Sequence, residues 1–177
     1  MSGHDTTMPG LAKLLTPNKT PLRVVELGAG CGIVGIALAT MHSNCEIILT
    51  DLPEVAEIVT RNINDAAPRA PASITFQTLD WDEPAPDLAR RPIDLILVSD
   101  CTYNADSLPA LISVLGRLVQ GSPRALILVA LKRRHESEAI FFDLMRAAGF
   151  ESSHAALSLP AQWDQMDSIE MYCYHHL

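Results

Sequence analysis

Val24-Val25-Glu26-Leu27-Gly28-Ala29-Gly30-Cys31-Gly32-Ile33-Val34-Gly35 is a short β-branched run that ends in an acid, followed by glycines at alternate positions and the start of an apolar helical pattern. It reads as a buried strand, a tight loop and a helix N-terminus. Glycine in such a loop permits positive φ and close approach of a ligand to the main chain. The free N–H groups of the helix end suit a ligand with acceptor atoms. A second strand, Glu46-Ile47-Ile48-Leu49-Thr50-Asp51, also ends in an acid. Asp51 stands where a carboxylate grips ribose hydroxyls in nucleotide-binding βαβ units. The glycines run G-x-G-x-G, not the G-x-G-x-x-G of a dinucleotide loop, and position 33 is Ile.

Working outward, strands are expected at about 22–27, 46–50, 73–78, 93–99 and 125–131. Helices are expected at about 32–42, 53–66, 105–120 and 136–148. The first of these helices is apolar almost all round and should be well covered. Pro53 is placed to start the second. Two late strands, about 151–159 and 168–175, have no helix between them and should pair antiparallel. The alternation predicts an α/β fold, a doubly wound Rossmann-like sheet with a terminal hairpin. Residues 1–20 form an N-terminal extension and 21–177 a single domain, with no repeat and no low-complexity linker.

At 177 residues the chain can bury a proper core, and an apolar share of 48 % sets it apart from disordered chains. No apolar run approaches the ~20 residues that span a bilayer. Met1 to Thr20 lacks the basic start and apolar core of a secretory signal. Cys31, Cys45, Cys101 and Cys173 are scattered, without C-x-x-C spacing, and are expected as reduced thiols in the cytoplasm, with the nucleus also compatible. The formal net charge of −8 argues against a nucleic-acid partner. The six histidines show no metal-ligand spacing, so no metal is expected.

The loop with its preceding Glu26 resembles motif I of the S-adenosylmethionine-dependent methyltransferases. The order glycine loop, Asp51, Leu79-Asp80-Trp81, Asp100-Cys101-Thr102-Tyr103 is similar to the small seven-β-strand protein-lysine methyltransferases of the methyltransferase-like twenty-one group, whose signature is D-x-x-Y after strand four. The likeness runs from about Leu22 to the C-terminus. It implies a seven-stranded sheet of order 3-2-1-4-5-7-6 with strand seven antiparallel, S-adenosylmethionine as cofactor, and a monomer acting on a lysine of a partner protein. Cofactor-binding roles fall by position on Glu26, Gly28, Ala29 and Gly30 in the loop, on Asp51 and Leu52 at the ribose, on Asp80 and Trp81 at the adenine, and on Ser99 at the end of strand four. Asp100 and Tyr103 become the catalytic, acceptor-side pair. Relatives that methylate nucleobase amino groups carry N/D-P-P-Y here, and Cys101-Thr102 lacks both prolines. The family also has a longer N-terminal region with a tryptophan-bearing segment over the cofactor. Here neither tryptophan precedes strand one, so Leu11 to Leu15 is expected as a partial covering helix.

Plainer readings stand beside these. Asp51 is also placed to cap the following helix, a role compatible with ribose binding. Asp80-Trp81 also reads as an ordinary loop with a half-buried aromatic, and Asp100 as a helix cap with Tyr103 packing beside it. Lys132-Arg133-Arg134 reads as a solvated turn or as a contact for an acidic partner, and Trp163 as local packing or a substrate contact. A small-molecule N-methyltransferase and a catalytically impaired binding module remain the alternatives to the protein-lysine enzyme.

Overall fold

The structure is a computed structural model that describes residues 9–16, 19–67, 72–84, 86–132, 137–153 and 169–177. Its strands are β1 (Leu22–Leu27), β2 (Cys45–Asp51), β3 (Ser73–Thr78), β4 (Leu95–Ser99), β5 (Leu126–Lys132), β6 (Phe150–Ser153) and β7 (Ile169–His176). Its helices are α1 (Pro9–Leu14), α2 (Ile33–Met41), α3 (Ala56–Ala66), α4 (Pro86–Ala89), α5 (Leu108–Gly121) and α6 (Ser137–Ala147). The strands form one sheet in the order β3-β2-β1-β4-β5-β7-β6. β1 to β5 are parallel neighbours, and β7 runs antiparallel to both β5 and β6. This is the sheet that the resemblance implies.

β1 is central and buried along its whole length, because both faces of a parallel sheet are covered. Its side chains alternate between two cores. Val25 and Leu27 join Ile96, Val98 and the inner face of α5 and α6, while Val24 joins Ile47, Leu49, Leu95 and Leu97 under α2. The helical crossovers make β1 to β5 parallel and bring their carboxyl ends out on one edge, so the acids that close β1 and β2 share one rim with Ser99 and Asp100.

Four expectations need correction. α2 is not well covered: only Gly35 and Ala39 are buried, and Ile33 and Met41 are 67 % and 78 % exposed. The cause is close packing through small residues. A Cβ on Gly35 would lie 2.3 Å from Leu49 Cδ2, so the helix already sits against the sheet; Val34, Ile36 and Leu38 pack half-buried at its flanks while Ile33 and Met41 turn outward. The helices expected at 53 and 105 each begin with a 3₁₀ turn, Pro53–Val55 and Ala105–Ser107. A short helix, α4, interrupts the loop after β3 and buries Leu88 completely. Leu88 O and Arg91 O then accept hydrogen bonds from Nη1 of the buried Arg23 at 3.0 and 2.7 Å. Finally, α1 does not cover the glycine loop. It packs at the opposite end of the sheet: Gly10 faces Leu126 at the start of β5, and Leu15 O meets His42 Nε2 at 2.9 Å. The late strand expected to 159 is β6, described to Ser153, and its remainder lies outside the described residues, as do Arg133, Arg134 and Trp163.

Candidate active site

The glycine loop turns directly off β1. Gly28, Gly30 and Gly32 all adopt left-handed backbone, at φ 63°, 54° and 79°. Gly28 has a second requirement: a Cβ there would sit 2.7 Å from Cys101 Sγ and 3.2 Å from Trp81 Cζ2. The loop is tied down on both sides. Ala29 N–H donates to Thr50 O at 3.0 Å, and Thr50 Oγ1 donates to Glu26 O at 2.6 Å. Glu26 is 2 % exposed, and its Oε2 accepts the Gly35 N–H at 2.8 Å within the first turn of α2. Burial pushes this carboxyl up to about 7; the Gly35 hydrogen bond opposes the rise and the charge of Asp51 adds to it.

Asp51 links the loop to β2. Its Oδ2 accepts Gly30 N–H and its Oδ1 accepts Leu52 N–H, both at 2.7 Å. The Pro53 turn begins at Leu52 with no side-chain cap, so Asp51 braces the loop and does not cap the helix. On the other flank Asp100 takes φ 55°, the one left-handed non-glycine position among the described residues. Its N–H donates to Ala130 O at 2.8 Å. The cap of the next turn is Asn104, whose side chain accepts Asp106 N–H at 3.1 Å, so the capping role set against Asp100 belongs elsewhere. Left-handed backbone in an acid at a strand end is strain of the kind found at functional sites.

These elements enclose a cleft of about 600 Å³ at the carboxyl ends of the strands. Of the expected residues, Gly28, Gly30, Asp51, Leu52, Asp80, Trp81, Asp100 and Tyr103 line it together. Glu26 and Ala29 do not; they lie behind the loop and hold its shape. Ser99 faces a separate cavity of about 210 Å³, which shares Asp100 with the cleft. Tyr103 stands at the mouth, 64 % exposed. Sequence reasoning missed Val55, Leu79, Asp82, Cys101, Asn104 and Ser107 in the lining. Cys101 lies within the Asp100-to-Tyr103 motif; burial pushes its thiol up to about 12, so it is a wall and no nucleophile at neutral pH.

The charge of the lining is decisive. It carries Asp51, Asp80, Asp82 and Asp100, and no lysine, arginine or histidine is among the described residues that line the cleft; Lys132 lines the smaller cavity that shares Asp100. Such a cleft repels a pyrophosphate and suits a cationic ligand. Another cavity, of about 570 Å³, lies at the amino ends of the strands beside α1, with Lys13, His42 and Arg124 in its wall. It lacks the glycine loop, and ligands of open α/β sheets bind at the carboxyl ends.

The profile of a family described as lysine methyltransferase matches residues 7–148. The chain belongs to the lysine methyltransferase family. Among relatives, it is 31 % identical over 125 residues to the protein N-lysine methyltransferase METTL21A of Danio rerio, covering 70 % of this chain and 56 % of that protein. It is 27 % identical over 149 residues to the protein-lysine N-methyltransferase EFM6 of Saccharomyces cerevisiae, covering 77 % of this chain and 60 % of that one. A UPF0665 family protein of Schizosaccharomyces pombe is 32 % identical over 126 residues, covering 71 % of this chain and 38 % of that protein. The chain thus spans roughly half the length of these family relatives. In fold it matches the magnesium protoporphyrin IX methyltransferase of Synechocystis, a structure with bound S-adenosylmethionine. The TM-score is 0.64 at 16 % identity, over 94 % of this chain and 76 % of that one.

Proposed function

We propose that the protein is an S-adenosylmethionine-dependent N-methyltransferase that acts on a lysine side chain of a partner protein. The observation that carries this reading is the anionic cleft, built on left-handed glycine backbone, in a chain of the lysine methyltransferase family. The cleft fits the cofactor in charge and in shape: acids surround a cationic ligand, and the main chain at Gly30 faces open space, with nothing within 4 Å of where a Cβ would sit. S-adenosylmethionine supplies an activated methyl group and its own leaving group, so no nucleophilic side chain or metal is required.

The residues then have separable tasks. The main chain at Gly28 and Gly30 borders the methionine part, Asp51 and Leu52 the ribose, and Asp80 and Trp81 the adenine. Glu26 and Ala29 act through the loop that they hold, and Ser99 through the backbone that presents Asp100. Asp100 accepts a hydrogen bond from the incoming amine and aims its lone pair; Tyr103 offers a ring wall at the mouth. The lysine must arrive neutral although its free pKa is ~10.4, and partial desolvation at the rim favours that form. Asp100, being anionic, draws the ammonium in, and water or bulk base takes the proton. The protein's contribution is alignment of donor and acceptor at ~3–3.5 Å.

We place the reaction in the cytoplasm or nucleus, in a monomer whose domain starts near residue 21, without a nucleic-acid partner. The four cysteine thiols and the net charge of −8 support this setting. No helix among the described residues is long and apolar enough to cross a membrane. Incubation of the protein with cell lysate and methyl-labelled S-adenosylmethionine tests the proposal. Label recovered as methyllysine in protein bands is the expected result; label only in small metabolites would overturn the protein substrate.

A further inference from the structure

Arg117 lies on α5, outside the cleft lining, yet its guanidinium reaches the loop that follows β3. Its Nη2 donates to Trp81 O at 2.5 Å and to Glu83 O at 3.1 Å, and its Nη1 donates to Ser113 Oγ at 2.8 Å. Its Nε is buried and makes no hydrogen bond among the described residues, so the group is committed to this position by its terminal nitrogens alone. The helix beneath is rigid: Leu111, Leu115 and Leu118 on the same element are fully buried. Local bonds shape the turn, with Asp82 N–H on Asp80 Oδ1 at 3.0 Å and Glu83 N–H on Asp80 O at 3.1 Å. Its start is anchored by Leu79 N–H on Asp51 O at 2.8 Å and by the Trp81 ring against the core, and Arg117 adds the side-chain bonds that hold the main chain at Trp81 and Glu83. The Trp81 ring in turn reaches the glycine loop beside Gly28.

We infer that Arg117 is the positioning residue that sets the adenine half of the cleft, holding the Asp80 carboxylate and the Trp81 ring in register with the glycine loop. The inference rests on the proposed reading of the cleft as an S-adenosylmethionine site. The geometry requires arginine specifically. A planar fork serves two carbonyls and a hydroxyl at once, whereas a lysine ammonium on a flexible stem holds one of them at a time. Arg117→Lys keeps the charge and much of the packing, so it isolates the fork.

The test compares calorimetric affinities of S-adenosylhomocysteine and of its analogue lacking the adenine 6-amino group, for the wild type and for Arg117→Lys. Arg117→Gln, which keeps one donor group, replaces it if the lysine variant does not fold. The wild type should prefer S-adenosylhomocysteine by about tenfold, the scale of one charge-assisted hydrogen bond from the amino group to Asp80. The variant should lose most of that preference, while its affinity for the analogue changes less than threefold. Equal loss of both affinities is what general unfolding gives, and it overturns the inference, as does a preference kept at the wild-type value. No binding of either ligand to the wild type overturns the cofactor reading itself, a result distinct from both.

Discussion

Glu26→Gln separates the folding role of this acid from any direct role toward a ligand. Glu26 is 2 % exposed, and desolvation, the largest cause, lifts its carboxyl from the ordinary 4.5 to about 7. The Gly35 hydrogen bond works against this and the Asp51 charge with it. A carboxyl raised on folding keeps a proton that the unfolded chain has released. Its stabilising contribution is complete below about pH 4.5, falls as pH rises through about 7, and is flat above. Over that span, at ~1.36 kcal/mol per pH unit, the folded state loses about 3 kcal/mol. A glutamine oxygen still accepts the Gly35 N–H and never ionises. The stability of Glu26→Gln relative to wild type should therefore grow by ~2–3 kcal/mol between pH 5 and pH 8. Urea denaturation followed by far-ultraviolet circular dichroism at both pH values measures it. A difference independent of pH would mean that Glu26 is ionised in the folded chain, and the assignment of burial as the dominant cause would fail.

Other substitutions address the loop and the rim. Gly35→Ala should destabilise by ~2–3 kcal/mol, because the new Cβ meets Leu49 Cδ2 at 2.3 Å and Glu26 Oε2 at 2.7 Å. Gly30→Ala, with nothing within 4 Å of its Cβ, should cost only the ~1–2 kcal/mol of left-handed backbone; the same denaturation assay would refute the packing argument by returning the reverse order. Asp51→Asn replaces a carboxylate that accepts two N–H groups at 2.7 Å with an amide that accepts through one oxygen. Calorimetry with S-adenosylhomocysteine should show a loss of ~10–100-fold, and unchanged affinity would remove Asp51 from the cofactor site. Asp100→Asn suits the left-handed backbone better than alanine does. It should bind S-adenosylhomocysteine within a few-fold of wild type while methyl transfer falls at least ~100-fold. Retained turnover would strike Asp100 from the proposed catalytic pair.

The sheet was legible because parallel strands buried on both faces read as continuous apolar runs, and each of the first two ends in an acid that the eye can find. Ile93 and Asp94 looked like part of the fourth strand for the same reason, yet β4 starts at Leu95: Ile93 N–H is held by Ser122 Oγ at 2.8 Å and Asp94 Oδ2 accepts Arg23 N–H at 2.8 Å. The cover of α2 was misjudged because composition cannot tell which side chains of a wholly apolar helix meet the sheet; Gly35 and Ala39 do, and Ile33 does not. The place of α1 was hidden because a short apolar helix fits either end of the sheet. Asp51, Asp80 and Asp100 were readable from their position at or just after strand ends, whereas Asp82, two residues on in a loop, was not. Whether Asp51 and Asp100 cap helices was not readable, since Leu52 takes the first cap without a side-chain bond and the Asn104 side chain takes the second. Arg117 left no trace in the sequence, as the partners that tie it to the loop are main-chain carbonyls 34 and 36 residues away.

The central claim is that one anionic cleft at the carboxyl ends of the strands holds an adenosyl cofactor. Its most direct test is a crystal structure of the protein grown with saturating S-adenosylhomocysteine. The account predicts density with the ribose hydroxyls on Asp51, the adenine at Asp80 and Trp81, and the sulfur facing Asp100. Density beside α1 at the other end of the sheet, or an empty cleft at saturation, would contradict it.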